Sequence, residues 1–168
     1  MTILPILKYP DPRLRIVSKA VTTFDENLAE LVMDMKETML DAPGAGLAAP
    51  QVDRPLRIIV VDWAQEGQEY GQNVLALINP EIVASEGAQV FDEGCLSVLD
   101  LTANVDRAAL VEVQAKDISG QPFSLIGEGR QAVILQHEID HLNGVLFLDH
   151  LSSLKQELYE KKLRKARK

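Results

Sequence analysis

The chain has 168 residues, of which 46% are apolar and one is a cysteine, and it carries a formal net charge of −8. That length lets one domain, residues 1–168, bury roughly two thirds of its unfolded surface without crosslinks, and a single cysteine excludes an internal disulfide. The longest apolar runs are too short to span a bilayer, and the acidic balance excludes DNA and membrane surfaces as expected partners.

The opening MTILPILKYPDPRLR places prolines and charges where a signal peptide needs an unbroken apolar stretch, so a cytoplasmic, reducing location is expected. In TFDENLAELVMDMKETMLDAPG, Leu28, Leu31, Val32, Met35 and Met39 recur at spacings of three and four. This periodicity predicts an amphipathic helix that ends near Ala42, before Pro43 and Gly44, and Thr23 with Glu26 reads as its capping box. Strand patterns follow in RIIVVDW, VLALINPEIV, LVEVQAKD and PFSLIG, and the last two flank the turn ISGQ as an antiparallel hairpin. A second helix is predicted from Glu128 or Arg130 to Asn143, closed by Gly144 in a left-handed cap. A third starts near Ser152, and residues 152–168 form a basic, amphipathic C-terminal helix. From Lys155 onward seven basic residues face two glutamates, so this tail alone can approach a polyanion favourably. Helix, strands, helix, helix, without crossover helices between successive strands, predicts an α+β fold.

The chemistry concentrates in QHEIDH. Residues four apart on a helix lie about 40° apart in projection, so His137 and His141 point both imidazoles toward one ion. Glu138 falls about 60° from His141 on the same side, where a carboxylate can take a proton from water and deliver it to a leaving group. Asp140, on the other flank, suits a partner for a ligating imidazole. A third ligand must come from elsewhere. His150, in LDHLSS, is the only other histidine; Cys95, in DEGCLS beside Gly94, is the sharper candidate, although a lone cysteine also serves as a small core residue. One cysteine and two histidines around an open fourth position make a catalytic metal site. In PGAGLAAPQ the small residues from Gly44, Ala45 and Gly46 onward offer backbone for a substrate main chain, and Gln51 adds an amide donor.

These three stretches, GAGLAAPQ from Gly44, EGCLS from Glu93 and QHEIDH from Gln136, resemble in order the motifs of the peptide deformylase family, and the likeness extends from ILKYPDPRLR to the helical tail. The resemblance implies antiparallel sheets packed around a central metal-binding helix, with one helix at the N-terminal side and one at the C-terminal end. It implies a metal-dependent hydrolase that removes the formyl group from the N-terminal methionine of nascent polypeptides. Cys95, His137 and His141 would hold one divalent ion, Fe2+ in the cell, with Zn2+, Ni2+ or Co2+ as alternatives. Glu138 would act as general base and acid, and the Gln51 amide and the Leu96 backbone N–H would stabilise the oxyanion. Gly44, Ala45, Gly46, Glu93 and Gly94 would line the substrate, and the basic helix would contact the ribosome.

The sequence departs from the family pattern where Ala45 stands for a larger aliphatic residue, where Leu99 and Thr102 stand for proline and arginine, and where Arg130 and Gln131 replace two leucines. Arg130 and Ala45 are therefore expected to alter selectivity near the first side chain, since a cation at the rim of an apolar pocket favours a polar or acidic neighbour. Two other readings share these residues. One is a zinc endopeptidase built on the same H-E-x-x-H; the other is a deformylase-like protein with altered selectivity or a binding role.

Overall fold

The computed structural model describes residues 1–167. The first helix, α1 (Glu26–Asp41), is capped by Asp25, whose Oδ1 accepts from Leu28 N at 3.0 Å; the cap is therefore not the expected Thr23 and Glu26 pair. Leu28, Val32, Met35 and Met39 lie on its buried face. It leads into a short strand, β1 (Gly46–Ala48), that the sequence pattern did not show, and then into β2 (Ile58–Asp62) and β3 (Val74–Glu86).

A hairpin of β4 (Gln89–Cys95) and β5 (Val98–Arg107) forms a separate two-stranded sheet, and β6 (Leu110–Lys116) and β7 (Pro122–Glu128) form the expected hairpin. The larger sheet has the order β1-β2-β3-β6-β7 and is antiparallel throughout. The chain then enters α2 (Arg130–Leu142) and closes with α3 (Ser153–Ala166). The α+β arrangement follows the expectation. No helix among the described residues is long and apolar enough to cross a membrane.

The run IIVV in β2 explains how the layers stack. Ile58 and Val60 join the apolar cluster of α1, whereas Ile59 and Val61 point to the opposite face and join the cluster around Ala132, Leu135, Ile139 and Leu142 of α2. A strand covered on both faces reads as a continuous apolar run rather than an alternation. Helix α2 is thus packed on the sheet, with nine of its thirteen residues buried. A third cluster, with Leu14, Val98, Val105, Phe147 and Tyr159, ties the β4–β5 hairpin to α3 and the N-terminal segment.

Gly144 ends α2 at φ 71°, as the left-handed cap requires, and a Cβ there would lie 2.5 Å from the Arg15 carbonyl oxygen. Gly129, at the other end, has φ 54° but no atom within 4 Å of such a Cβ. A left-handed non-glycine residue costs about 1–3 kcal/mol. Gly144→Ala is therefore expected to lower the melting temperature by several degrees, and by more than Gly129→Ala, which meets the conformational cost without the clash; equal shifts in calorimetry would remove the steric contribution.

Candidate metal centre

Strand β4 delivers Cys95 at its C-terminal end, and the two-residue turn Leu96–Ser97 follows before Val98 pairs back with Cys95. Helix α2 delivers His137 and His141 from one face. The ligand atoms of Cys95, His137 and His141 all lie within 4.8 Å of one another, and Cys95 Sγ stands 3.3 Å from His141 Nε2. His137 stacks on Phe147 at 6.1 Å and meets His141 edge-on at 5.0 Å, so neighbouring rings restrict both imidazoles. His150, the other histidine, lies apart and pairs with Asp140 at 2.9 Å.

The partner of the ligating imidazole differs from the expected one. Asp140 turns away to Arg107 (2.7 Å) and His150, while Glu93 Oε1 takes the place beside His137 Nδ1 at 2.8 Å. Glu93, expected on the substrate wall, has its carboxylate turned into a buried fork from Arg107, with Nε to Oε2 at 2.7 Å and Nη2 to Oε1 at 2.9 Å. Both side chains are at most 4% exposed. Burial alone would raise the Glu93 pKa, but the bonds from His137 and Arg107 hold it down at about 2. The carboxylate thus fixes His137 with Nδ1 committed and leaves the opposite nitrogen for an ion. Arg107 was not read from the sequence; a lone arginine ending the pattern NVDR gave no sign of its buried position.

Burial and neighbouring charge act in opposite directions on the two imidazoles. Burial opposes charging His137, yet the adjacent Cys95 sulfur and Glu93 carboxylate hold its pKa well above the ordinary imidazole value. Burial and the neighbouring His137 push His141 well below, keeping a neutral imidazole of the form that binds metals. A divalent ion would be held between one sulfur and two imidazoles, and the donor set suits Fe2+, Zn2+, Ni2+ or Co2+.

Glu138 is buried beside the ligands and pushed up to about 7 by that burial. Its Oε2 has no hydrogen-bond partner among the described residues. Gly46 of β1 packs directly on this carboxylate, since a Cβ there would stand 2.5 Å from Oε1. Gln51 is held from both ends: Oε1 accepts from Ala48 N at 2.8 Å, and Nε2 donates to Ser97 Oγ at 3.1 Å and toward Cys95 Sγ at 3.6 Å. The amide N–H groups are thereby aimed at the sulfur side of the site. Ser97, like Arg107, was not anticipated.

A cavity of about 600 Å³ opens over these groups. It is lined by Gly44, Ala45, Gly46, Gln51, Glu93, Gly94, Cys95, Leu96, Arg130, His137 and Glu138, which brings together every expected site residue except His141, buried beneath it. Ile134 and Val133 of α2 and Leu99 to Thr102 of β5 complete the wall. Arg130 is exposed, without an ion pair among the described residues, one helical turn from Val133 and Ile134.

Residues 3–157 match the family described as polypeptide deformylase. A peptide deformylase of Desulfotalea psychrophila is 54% identical over 165 residues, covering 98% of this chain and 97% of the relative. Among solved structures, a peptide deformylase from Legionella pneumophila superposes with a TM-score of 0.90 at 49% identity, covering 99% of this chain and 96% of that one. A Met-Ala-Ser-bound class I type b peptide deformylase from Acinetobacter baumannii has a TM-score of 0.83 at 34% identity, covering 89% and 99%.

Proposed function

Since the chain belongs to the polypeptide deformylase family, a family of hydrolases acting on N-formyl groups, we propose that it cleaves formate from the N-terminal methionine of formylated nascent polypeptides in the cytoplasm, with one divalent ion held by Cys95, His137 and His141. The observation that carries this reading is the meeting of three ligand atoms within 4.8 Å beside a buried carboxylate whose Oε2 is unpartnered. An ion bound there supplies a Lewis acid that acidifies water and polarises the formyl carbonyl. Fe2+ is the proposed ion in the cell, with Zn2+, Ni2+ and Co2+ as substitutes.

Glu138 accepts the proton from the attacking water and passes it to the amine nitrogen as the C–N bond breaks, so that formate and a free N-terminus result. Gln51 Nε2 and the Leu96 N–H stabilise the oxyanion; donors fixed in advance need little reorganisation when charge develops. The peptide lies along β1. Gly46 faces Val61, and Asp62 N bonds to Ala45 O at 2.9 Å; this register leaves the N–H and C=O of Gly46 on the outer edge, free to pair with an extended main chain. The bound Met-Ala-Ser of the Acinetobacter relative supports a peptide in this cleft. Gly44, Ala45 and Gly94 leave room for that backbone, and Arg130 with Ala45 tunes the preference for the first side chains.

The test is formate release from a formyl-Met tripeptide by oxygen-free, Fe2+- or Ni2+-loaded protein. Release should cease on chelation and return with Ni2+ or Co2+, whereas metal-replete protein that binds the peptide without turnover would favour a binding role. A formylated acidic-residue peptide in the same assay reads the contribution of Arg130. The basic tail is proposed to touch the ribosome. Lys161→Glu with Lys165→Glu should then abolish salt-sensitive copelleting with ribosomes, and unchanged copelleting would leave the helix a solvated terminus.

A further inference from the structure

We infer that Tyr159 and Lys162 of the C-terminal helix are positioning residues for the substrate cavity, holding the segment of β5 that forms one of its walls. The reason lies in the irregular β4–β5 ladder. Between the pairs Cys95↔Val98 and Glu93↔Ala103 a single residue of β4, Gly94, faces Leu99, Asp100, Leu101 and Thr102 of β5. The surplus residues bulge out of register, with Asp100 at φ 56°, and they line the cavity. A bulge loses ladder partners, and its carbonyls must find others.

Those partners come from α3. Tyr159 Oη donates to the Leu99 carbonyl at 2.9 Å, and Lys162 Nζ donates to the Asp100 carbonyl at 3.3 Å. The two donors stand three apart, on one helix face. Tyr159 is itself buried, packed against Tyr9, so its hydroxyl is a fixed point rather than a mobile tip. A second cavity of about 330 Å³ lies beneath the helix and shares Asp100, Leu101 and Thr102 with the first. The partition between the substrate space and the helix groove is thus one strand thick. A wall this thin, out of register with its partner strand, keeps its shape through the two donors behind it. The helix thereby contributes to peptide affinity from a side that the peptide does not touch.

This inference rests on the deformylase reading for its kinetic readout. In full-length, metal-loaded protein, Tyr159→Phe and Lys162→Met should each raise KM for a formyl-Met tripeptide by about threefold to tenfold, the loss of one hydrogen bond. The turnover number should stay within about twofold, because neither side chain approaches the reacting atoms. Lys162→Arg, which keeps a donor, should restore the wild-type KM. A packing role alone would lower melting temperature and active fraction at constant KM, so that pattern, or an unchanged KM in either variant, removes the residue concerned from the role. Calorimetric Kd for Met-Ala-Ser reads the same effect without turnover. Absence of formate release by wild type would overturn the functional reading, while the Kd ratio between wild type and variants would still judge the wall.

Discussion

Replacing Glu138 with glutamine is expected to reduce formate release by at least about a hundredfold, the usual contribution of a positioned acid–base group, while leaving one divalent ion bound per chain. The side chain is not among the ligand atoms that converge at the site, and glutamine preserves its volume in the buried space against Gly46. What is lost is the carboxylate's ability to hold a proton between the water and the departing amine. The unpartnered Oε2 is free to take up a proton, and burial raises its pKa to about 7 before the charge of a bound ion is added. Elemental analysis beside a formate assay checks the result: full metal content with activity within tenfold of wild type would end this assignment. Gly46→Ala acts on the same group from the other side, since its methyl would collide with the carboxylate and displace it.

Arg107→Met should be the most destabilising single change around the site. It leaves Glu93 charged, buried and facing only His137, and breaking a buried ion pair costs about 3–5 kcal/mol. That loss corresponds to a fall in melting temperature on the order of 10 °C, and metal affinity should drop about tenfold to a hundredfold as His137 loses its fixed partner. The pH dependence has a definite sign. The depressed folded pKa of Glu93, about 2 against an ordinary value of 4.5, gives stability that is present above pH 4.5 and lost as pH falls toward 2. In the variant the Arg107 share of this stabilisation is gone while the His137 bond remains, so the gap between metal-free wild type and variant should be widest near neutrality and narrow below about pH 4.5. A constant gap across that range, measured by thermal melts, would show that Arg107 acts through packing alone.

The helices and four of the strands were legible because their apolar spacing is a local property: Leu28, Val32, Met35 and Met39 repeat on their own helix, and the IIVV run needs no partner to be seen. The β4–β5 hairpin was not. Its strands mix acidic and apolar residues, and the bulge at Leu99 to Thr102 breaks the alternation that would have revealed it. Strand β1 was hidden for a different reason, since three small or apolar residues in a glycine-rich stretch read equally as a turn. Within the site, QHEIDH gave both histidines and Glu138 through helix geometry, and Cys95 emerged from the chemistry of the donor set. The polar support was beyond reach. Helix geometry put Asp140 on a plausible flank, but the partner of His137 is Glu93, 44 positions away, held by an arginine 14 residues further from a different strand. Such choices are made by the packing of one element on another.

Cys95 and His141 are separated by 46 positions and belong to β4 and α2. An ion joining them closes a loop spanning β5, β6, β7 and most of α2, and because its site exists only in the folded chain its binding free energy adds to folding stability. In a protein whose only cysteine has no thiol partner, the metal would serve as the staple that a disulfide provides elsewhere. Loss of the ion would then loosen the molecule as well as silence it, making stripped chains the natural targets of cellular proteases.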